Sequence, residues 1–273
     1  MKRISLLLIS GLLGMICLAG CGGGSAYSNL MTAIRNGDIN FIQNYKGNIN
    51  KVNDEGDTPL FTAIRLDVPL ETINALLGKN PDVNKGEKDG WTPLMFAVKK
   101  SDISIVQALL KAGADINKAN KDGRISIHYA AEGNPEILKK LIDAKADINR
   151  QDKKGITPLM LAASFYNDGF QQPEKELERL NLLITAGADV NKVDMDGVTA
   201  LMYAASVLKT ERVKALLTAK ADPNIKTKKG ATALSYATQP SGGFAGNQDD
   251  VIALLNKATG NNVASPNQVK MKQ

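Results

Sequence analysis

Six glycines set the pattern of this chain. Gly56, Gly90, Gly123, Gly155, Gly197 and Gly230 each open a run of one type, GDTPLFTA, GWTPLMFA, GRISIHYA, GITPLMLA, GVTALMYA and GATALSYA, at spacings of 34, 33, 32, 42 and 33 residues. A sequence that returns to itself near every 33 residues builds a stack of like units. Each unit buries its apolar face on the next one along rather than on itself.

The unit from Gly90 to Gly123 spells out the local physics. Thr92 is placed to cap a helix through its hydroxyl, and Pro93 follows at the first helical position, where a missing N–H costs nothing. The pattern predicts a short helix from Pro93 to about Lys99. Ser101 or Asp102 then restarts the chain as a second helix, in which Ile105, Val106, Leu109 and Leu110 share one buried face. Gly113 ends that helix, because glycine takes the left-handed conformation that closes the last carbonyls. The polar stretch from Ala114 to Asp122 reads as a loop or hairpin finger.

Gly90, Thr92, Pro93, Leu94, Ala97, Leu109, Leu110, Gly113, Ala114, Asp115 and Asn117 match, in order, the pattern of ankyrin repeats, which this chain resembles. The Asp-x-Asn signature recurs at Asp82/Asn84, Asp115/Asn117, Asp147/Asn149, Asp189/Asn191 and Asp222/Asn224. The resemblance implies an all-α ankyrin-repeat solenoid of about seven helix-turn-helix repeats with β-hairpin or loop fingers, over residues 27–258.

Residues 1–20 read as a signal peptide, with Lys2 and Arg3 ahead of an apolar run that is short for a membrane span. The run ends in Leu18-Ala19-Gly20-Cys21, which resembles a lipobox and implies lipidation of Cys21. Residues 21–26 would then be the lipidated cysteine and a short Gly-rich tether. Gly22 after the cysteine resembles outer-membrane sorting, with the solenoid facing the periplasm. A Gram-positive surface protein is the alternative, and initiation at Met31 would yield a form without signal or lipid. Cys17 leaves with the signal, so acylated Cys21 leaves no thiol for a disulfide. The formal charge of +6 falls on losing Lys2 and Arg3 but stays positive.

The repeats are not equal. The first is truncated, with Leu30, Ala33 and Ile34 in one helix, Asn36-Gly37-Asp38 as the turn, and Ile39, Phe41 and Ile42 in the other. Asn80-Pro81 replaces Gly-Ala in the second repeat. Ile125-Ser126-Ile127-His128 costs the fourth repeat its threonine cap, and Lys145 and Lys220 stand where glycine is wanted, at about 1 kcal/mol each. The array should therefore be weakest around repeats four and six. Insertions at 164–178, with Phe165, Tyr166 and Phe170, and at 239–248, with Phe244, form either one contact surface or mere spacers. Residues 259–273 read as a disordered tail.

Catalytic chemistry finds little support. His128 is the single histidine and stands in the structural slot of the repeat, and no nucleophile elbow, phosphate loop or Cys/His metal spacing is present. The Asp-x-Asn pairs lack the further ligands of a calcium loop. The expectation is a non-enzyme with no cofactor, no metal and no small-molecule substrate, and export argues against nucleic acid.

The slot after each opening glycine holds Asp57, Trp91, Arg124, Ile156, Val198 and Ala231, a row the resemblance implies is exposed. Trp91 flanked by Arg124 is the expected anchor for a protein partner, with a tryptophan that merely covers the finger as the other reading. Lys51, Lys85, Lys118, Arg150 and Lys192 follow the finger asparagines, and Lys88, Lys121, Lys153, Lys154, Lys228 and Lys229 stand near the tips. This ladder is either soluble filler or a basic stripe suited to an acidic protein or anionic lipid. Among exported ankyrin proteins, the resemblance implies immunity proteins that neutralise phospholipase-type toxin effectors. The alternative is an accessory or scaffold protein for a periplasmic or envelope enzyme.

Overall fold

The computed structural model describes residues 26–164, 173–239 and 247–261. Cys21 and the signal before it, the insertion aromatics Phe165, Tyr166, Phe170 and Phe244, and the tail from residue 262 lie outside the described residues. The described residues hold fourteen helices that pair into seven repeats: α1 (Ala26–Asn36) with α2 (Ile39–Asn44), α3 (Pro59–Arg65) with α4 (Leu70–Leu77), α5 (Pro93–Lys99) with α6 (Ile103–Lys111), and α7 (Ser126–Glu132) with α8 (Pro135–Asp143). After these come α9 (Pro158–Ser164) with α10 (Pro173–Thr185), α11 (Ala200–Ser206) with α12 (Thr210–Thr218), and α13 (Ala233–Thr238) with α14 (Gln248–Thr259).

Capping starts the first helices. The hydroxyls of Thr58, Thr92 and Thr157 each accept the N–H three residues on at 3.2 Å, and that of Thr199 does so at 3.3 Å. Each such cap stabilises by about 1 kcal/mol. Repeat four lacks the threonine, and its helix α7 begins on Ile125 instead. There the Nδ1 of His128 accepts the Ile125 N–H at 3.2 Å, so the helix start is held from within.

Two layers follow from the pairing. Each first helix packs on the first helix of the next repeat, and each second helix on the next second helix. The core between the layers is built from one leucine or isoleucine per first helix, such as Leu60, Leu94, Ile127, Leu159 and Leu201, all at most 1% exposed. The second helices contribute stripes such as Ile105, Val106 and Leu109, or Ile137, Leu138 and Leu141. In repeats five and six the first stripe position is an arginine. Buried Arg179 donates to the Gly133 carbonyl at 3.0 Å and buried Arg212 to the Ala163 carbonyl at 2.8 Å. A cation at the end of the preceding repeat's first helix meets the negative end of its dipole.

Several expectations change in detail. Part of the 164–178 insertion is helix, because α10 already begins at Pro173 and is longer than the other second helices. Phe41 lies in α2 as expected, but on its exposed side, at 38%. Asn80, Lys145 and Lys220 do take left-handed conformations, with φ of 51°, 65° and 66°. So do Asp67, Ser101 and Leu208 in the turns between helices, of which aspartate alone is a residue type that visits this region readily.

Candidate partner-binding face and finger edge

The fingers are loops rather than strands. Among the described residues the single bridge is Val193 with Thr199. Each finger closes on itself through a backbone bond across four residues, such as Asn120 N–H to Arg124 O at 2.9 Å and Asp194 N–H to Val198 O at 3.0 Å. A side-chain oxygen fills the loop so formed. Asp152 Oδ1 accepts the N–H groups of Lys154 and Ile156, and Asp194 Oδ1 those of Asp196 and Val198.

Adjacent fingers are stitched together twice. Asp-x-Asn is the first stitch: Asp115 Oδ1 accepts the Asn117 N–H within its own turn, and Asn117 Oδ1 accepts the Asp147 N–H of the next repeat at 2.8 Å. The same bond joins Asn50 to Asp82, Asn84 to Asp115, Asn149 to Asp189 and Asn191 to Asp222, at 2.7–2.8 Å. These carboxylates and amides are spent on the backbone, which accounts for the motif without calcium. The second stitch links the tips, Lys121 N–H to Asp89 O, Lys153 to Asp122, Met195 to Lys154 and Lys228 to Asp196. Gly155 shows how close the tips lie, since a Cβ on it would fall 2.8 Å from the Met195 nitrogen, at a φ of +78°.

The slot after the glycine does not form one exposed row. Asp57 is 1% exposed and Val198 7%, against expectation. Asp57 is turned inward to Arg65, whose Nη2 lies 2.8 Å from its carboxylate, and burial raises the Asp57 pKa in spite of that cation. Val198 is covered as its finger folds onto α11 and packs into the core. Trp91, Arg124 and Ile156 are half-buried, between the core and water.

What gathers around Trp91 is an aromatic cluster. Its ring lies 4.4 Å from that of Tyr129 in the next repeat and 6.3 Å, edge-on, from Phe96, which in turn meets Phe61 at 5.3 Å. Lys99 stands over the Trp91 ring at 5.0 Å, and Lys100 over Phe96 at 5.6 Å. Arg124 pairs with Asp152 of the following repeat at 3.0 Å and reaches Glu132 at 4.0 Å. Burial raises the Glu132 carboxyl pKa against the pull of Arg124 and Lys99, and pushes the Tyr129 phenol up to about 12.

Tyr129 went unread in the sequence. Phe96, Tyr129, Tyr203 and Tyr236 stand at one position of the first helices of repeats three, four, six and seven, and that in-phase aromatic was the available signal. Tyr203 donates to Asp194 Oδ2 at 2.8 Å, and Asn120 donates to Tyr129 Oη at 2.9 Å, so each ring is tied to its own finger. Repeat five has Leu161 there, and the free oxygen of Asp152 takes Arg124 instead. His128 is fully buried, its Nε2 donating to the Ile156 carbonyl at 3.3 Å.

Lys88, Lys121 and Lys153 are exposed on the tips, apart from this cluster. Lys88 Nζ donates to the Asp54 carbonyl and Lys121 Nζ meets Asp89 at 3.3 Å. The basic ladder is thus interleaved with acid over repeats two to four, where Asp54, Glu55, Asp89 and Asp122 share the tips.

The family model described as ankyrin repeats (3 copies) matches residues 30–120 and 170–265, and that described as ankyrin repeats (many copies) matches residues 127–167. No curated protein matches the chain. Two stitched layers of paired helices, capped by threonine and closed by Asp-x-Asn, with family models matching most of the length, leave one conclusion: the chain belongs to the ankyrin-repeat family.

Proposed function

We propose that this protein is a membrane-tethered, non-enzymatic ankyrin lipoprotein that binds another protein on the first-helix face of repeats two to four. Ankyrin repeats are protein-interaction modules, so a protein partner is the coarse reading. The observation that carries the finer one is half-buried Trp91, backed by the ring of buried Tyr129 and flanked by Lys99 and by Arg124. Rigid aromatic and arginine side chains at a half-dry position are what binding hot spots are made of.

The partner class that fits an exported protein tethered through Cys21 is a toxin effector of the phospholipase type, which the chain would block as an immunity protein. The anchor supports this reading by keeping the array near the bilayer, where such an effector acts. An outer-membrane site facing the periplasm follows from Gly22 beside the acylated cysteine.

The test is a pull-down from envelope extract with the wild-type chain and with Trp91→Ala, followed by mass spectrometry. A protein captured by the wild type and lost from the variant supports the face. Capture of the same protein by both would remove it. A captured phospholipase whose activity the chain inhibits supports the immunity role, and capture of an envelope-assembly or stress enzyme without inhibition overturns it.

A further inference from the structure

We infer that the finger edge of the array, above all the tips of repeats six and seven, is a second membrane contact that rests on anionic lipid headgroups. The inference builds on the anchor at Cys21, and three observations meet in it.

The first is where the chain emerges. Tyr27, in the first turn of α1, lies under Lys51 of the first finger, with the Lys51 Nζ 5.3 Å from the ring centre. The described chain therefore begins on the finger edge. Between Cys21 and Ala26 five residues reach about 18 Å at most, so an acyl anchor holds this edge, rather than the opposite one, close to the bilayer.

The second is apolar exposure. Three of the five exposed large hydrophobic residues among those described are on fingers: Val52 at 38%, Val193 at 40% and Met195 at 61%. Val52 stands beside the tether exit. Val193 and Met195 stand at the tip of repeat six, and the Met195 N–H is fixed to the Lys154 carbonyl, so this tip is held in line with its neighbour.

The third is charge. At repeats two to four the tips carry acid beside lysine, but exposed Lys226, Lys228 and Lys229 gather at repeat seven, with Asp196 and Asp222 as the nearby acids. Lys228 is bonded through its N–H to the Asp196 carbonyl, which sets these lysines directly beside Met195. Apolar tips flanked by lysine match the layered chemistry of a bilayer surface, with phosphate outside and hydrocarbon beneath. The tether fixes one end of the edge and this cluster the other, so the array lies along the membrane. Its aromatic face remains open to a partner.

The acylated chain, extracted from membranes and reconstituted in vesicles of phosphatidylethanolamine and phosphatidylglycerol, provides the test. A solvent-sensitive dye is attached through Met195→Cys, and in a separate sample through Glu136→Cys at the opposite, inter-helix edge. Quenching by a headgroup-attached quencher is expected to be at least threefold stronger at position 195, and equal quenching overturns the inference. A second arm uses the Cys21→Ser chain on phosphatidylglycerol vesicles. Binding is expected to weaken at least tenfold when Val193→Asp and Met195→Asp are combined, and again on raising salt. Binding that is absent, or unchanged by these substitutions, also overturns the inference. Intact mass of the extracted wild-type chain reports acylation separately. A chain without acyl groups would remove the anchor while the second arm still decides the edge.

Discussion

The Oδ1 of Asn149 accepts the Asp189 N–H at 2.8 Å across a separation of 40 residues, although the corresponding bonds elsewhere span 30 to 32. The extra length of repeat five leaves the stitch between fingers unchanged. Register is set by the finger, and added chain between the helices is accommodated without strain on it.

Asn149→Ala should therefore lower stability by about 0.5–1.5 kcal/mol, the net worth of one such bond. Urea denaturation gives the size, and hydrogen exchange at the Asp189 amide gives the place. If exchange there stayed as slow as in the wild type, the bond would not be what joins the two repeats.

Burial keeps His128 neutral, with its proton affinity lowered below the ordinary value of 6.5. Above 6.5 the imidazole is neutral in both folded and unfolded chains, and its stabilisation is fully present. As pH falls below 6.5 the unfolded chain takes up a proton first, so stability falls. The carboxyls of Asp57, Glu87 and Glu132 are raised by burial and act in the opposite sense. The comparison of wild type with His128→Gln isolates the imidazole: Tm measured from pH 8 to pH 5 should drop less steeply in the variant. Parallel curves would contradict the buried neutral state.

Trp91→Ala should weaken the partner by about 2–4 kcal/mol, read by calorimetry. Val198→Ala is the contrast, because its side chain is buried under the finger. It should lower stability and leave affinity as it was. Arg124→Ala should do both, since it also unpairs the buried carboxylate of Asp152.

Lys145→Gly and Lys220→Gly should each raise stability by on the order of 1 kcal/mol, by relieving a left-handed backbone. Gly113 and Gly187, at the equivalent ends of α6 and α10, have nothing within 4 Å of a built Cβ, so backbone conformation rather than crowding decides the effect. Thermal unfolding measures it.

A chain that began at Met31 would lose Leu30, which is fully buried in α1. Leu30→Ala should cost about 2–5 kcal/mol, by denaturant unfolding, and the shortened form should be less stable still.

The glycine spacing, the threonine caps and the Pro93 helix were legible because each depends on neighbours in the chain. The position of Asp102 as the cap of α6 was likewise one of two readings, and its Oδ1 accepts the Ile105 N–H at 2.9 Å. What failed was the exposure of the glycine-following slot. Whether Asp57 or Trp91 faces water depends on which side chain folding brings against it, Arg65 from the far end of its own first helix in one case and Tyr129 of the next repeat in the other. Buried Arg179 and Arg212 escaped for the same reason. A charged residue in an apolar stripe reads as an interruption until the carbonyl it caps, in another repeat, is in view.

The bond from each asparagine to the following aspartate has one further consequence. Donor and acceptor are alike at every junction, so any unit can follow any other without a new kind of contact. Such a chain can grow or shrink by whole units through duplication and loss of its coding segment, and the joint it makes afterwards is one it already possessed.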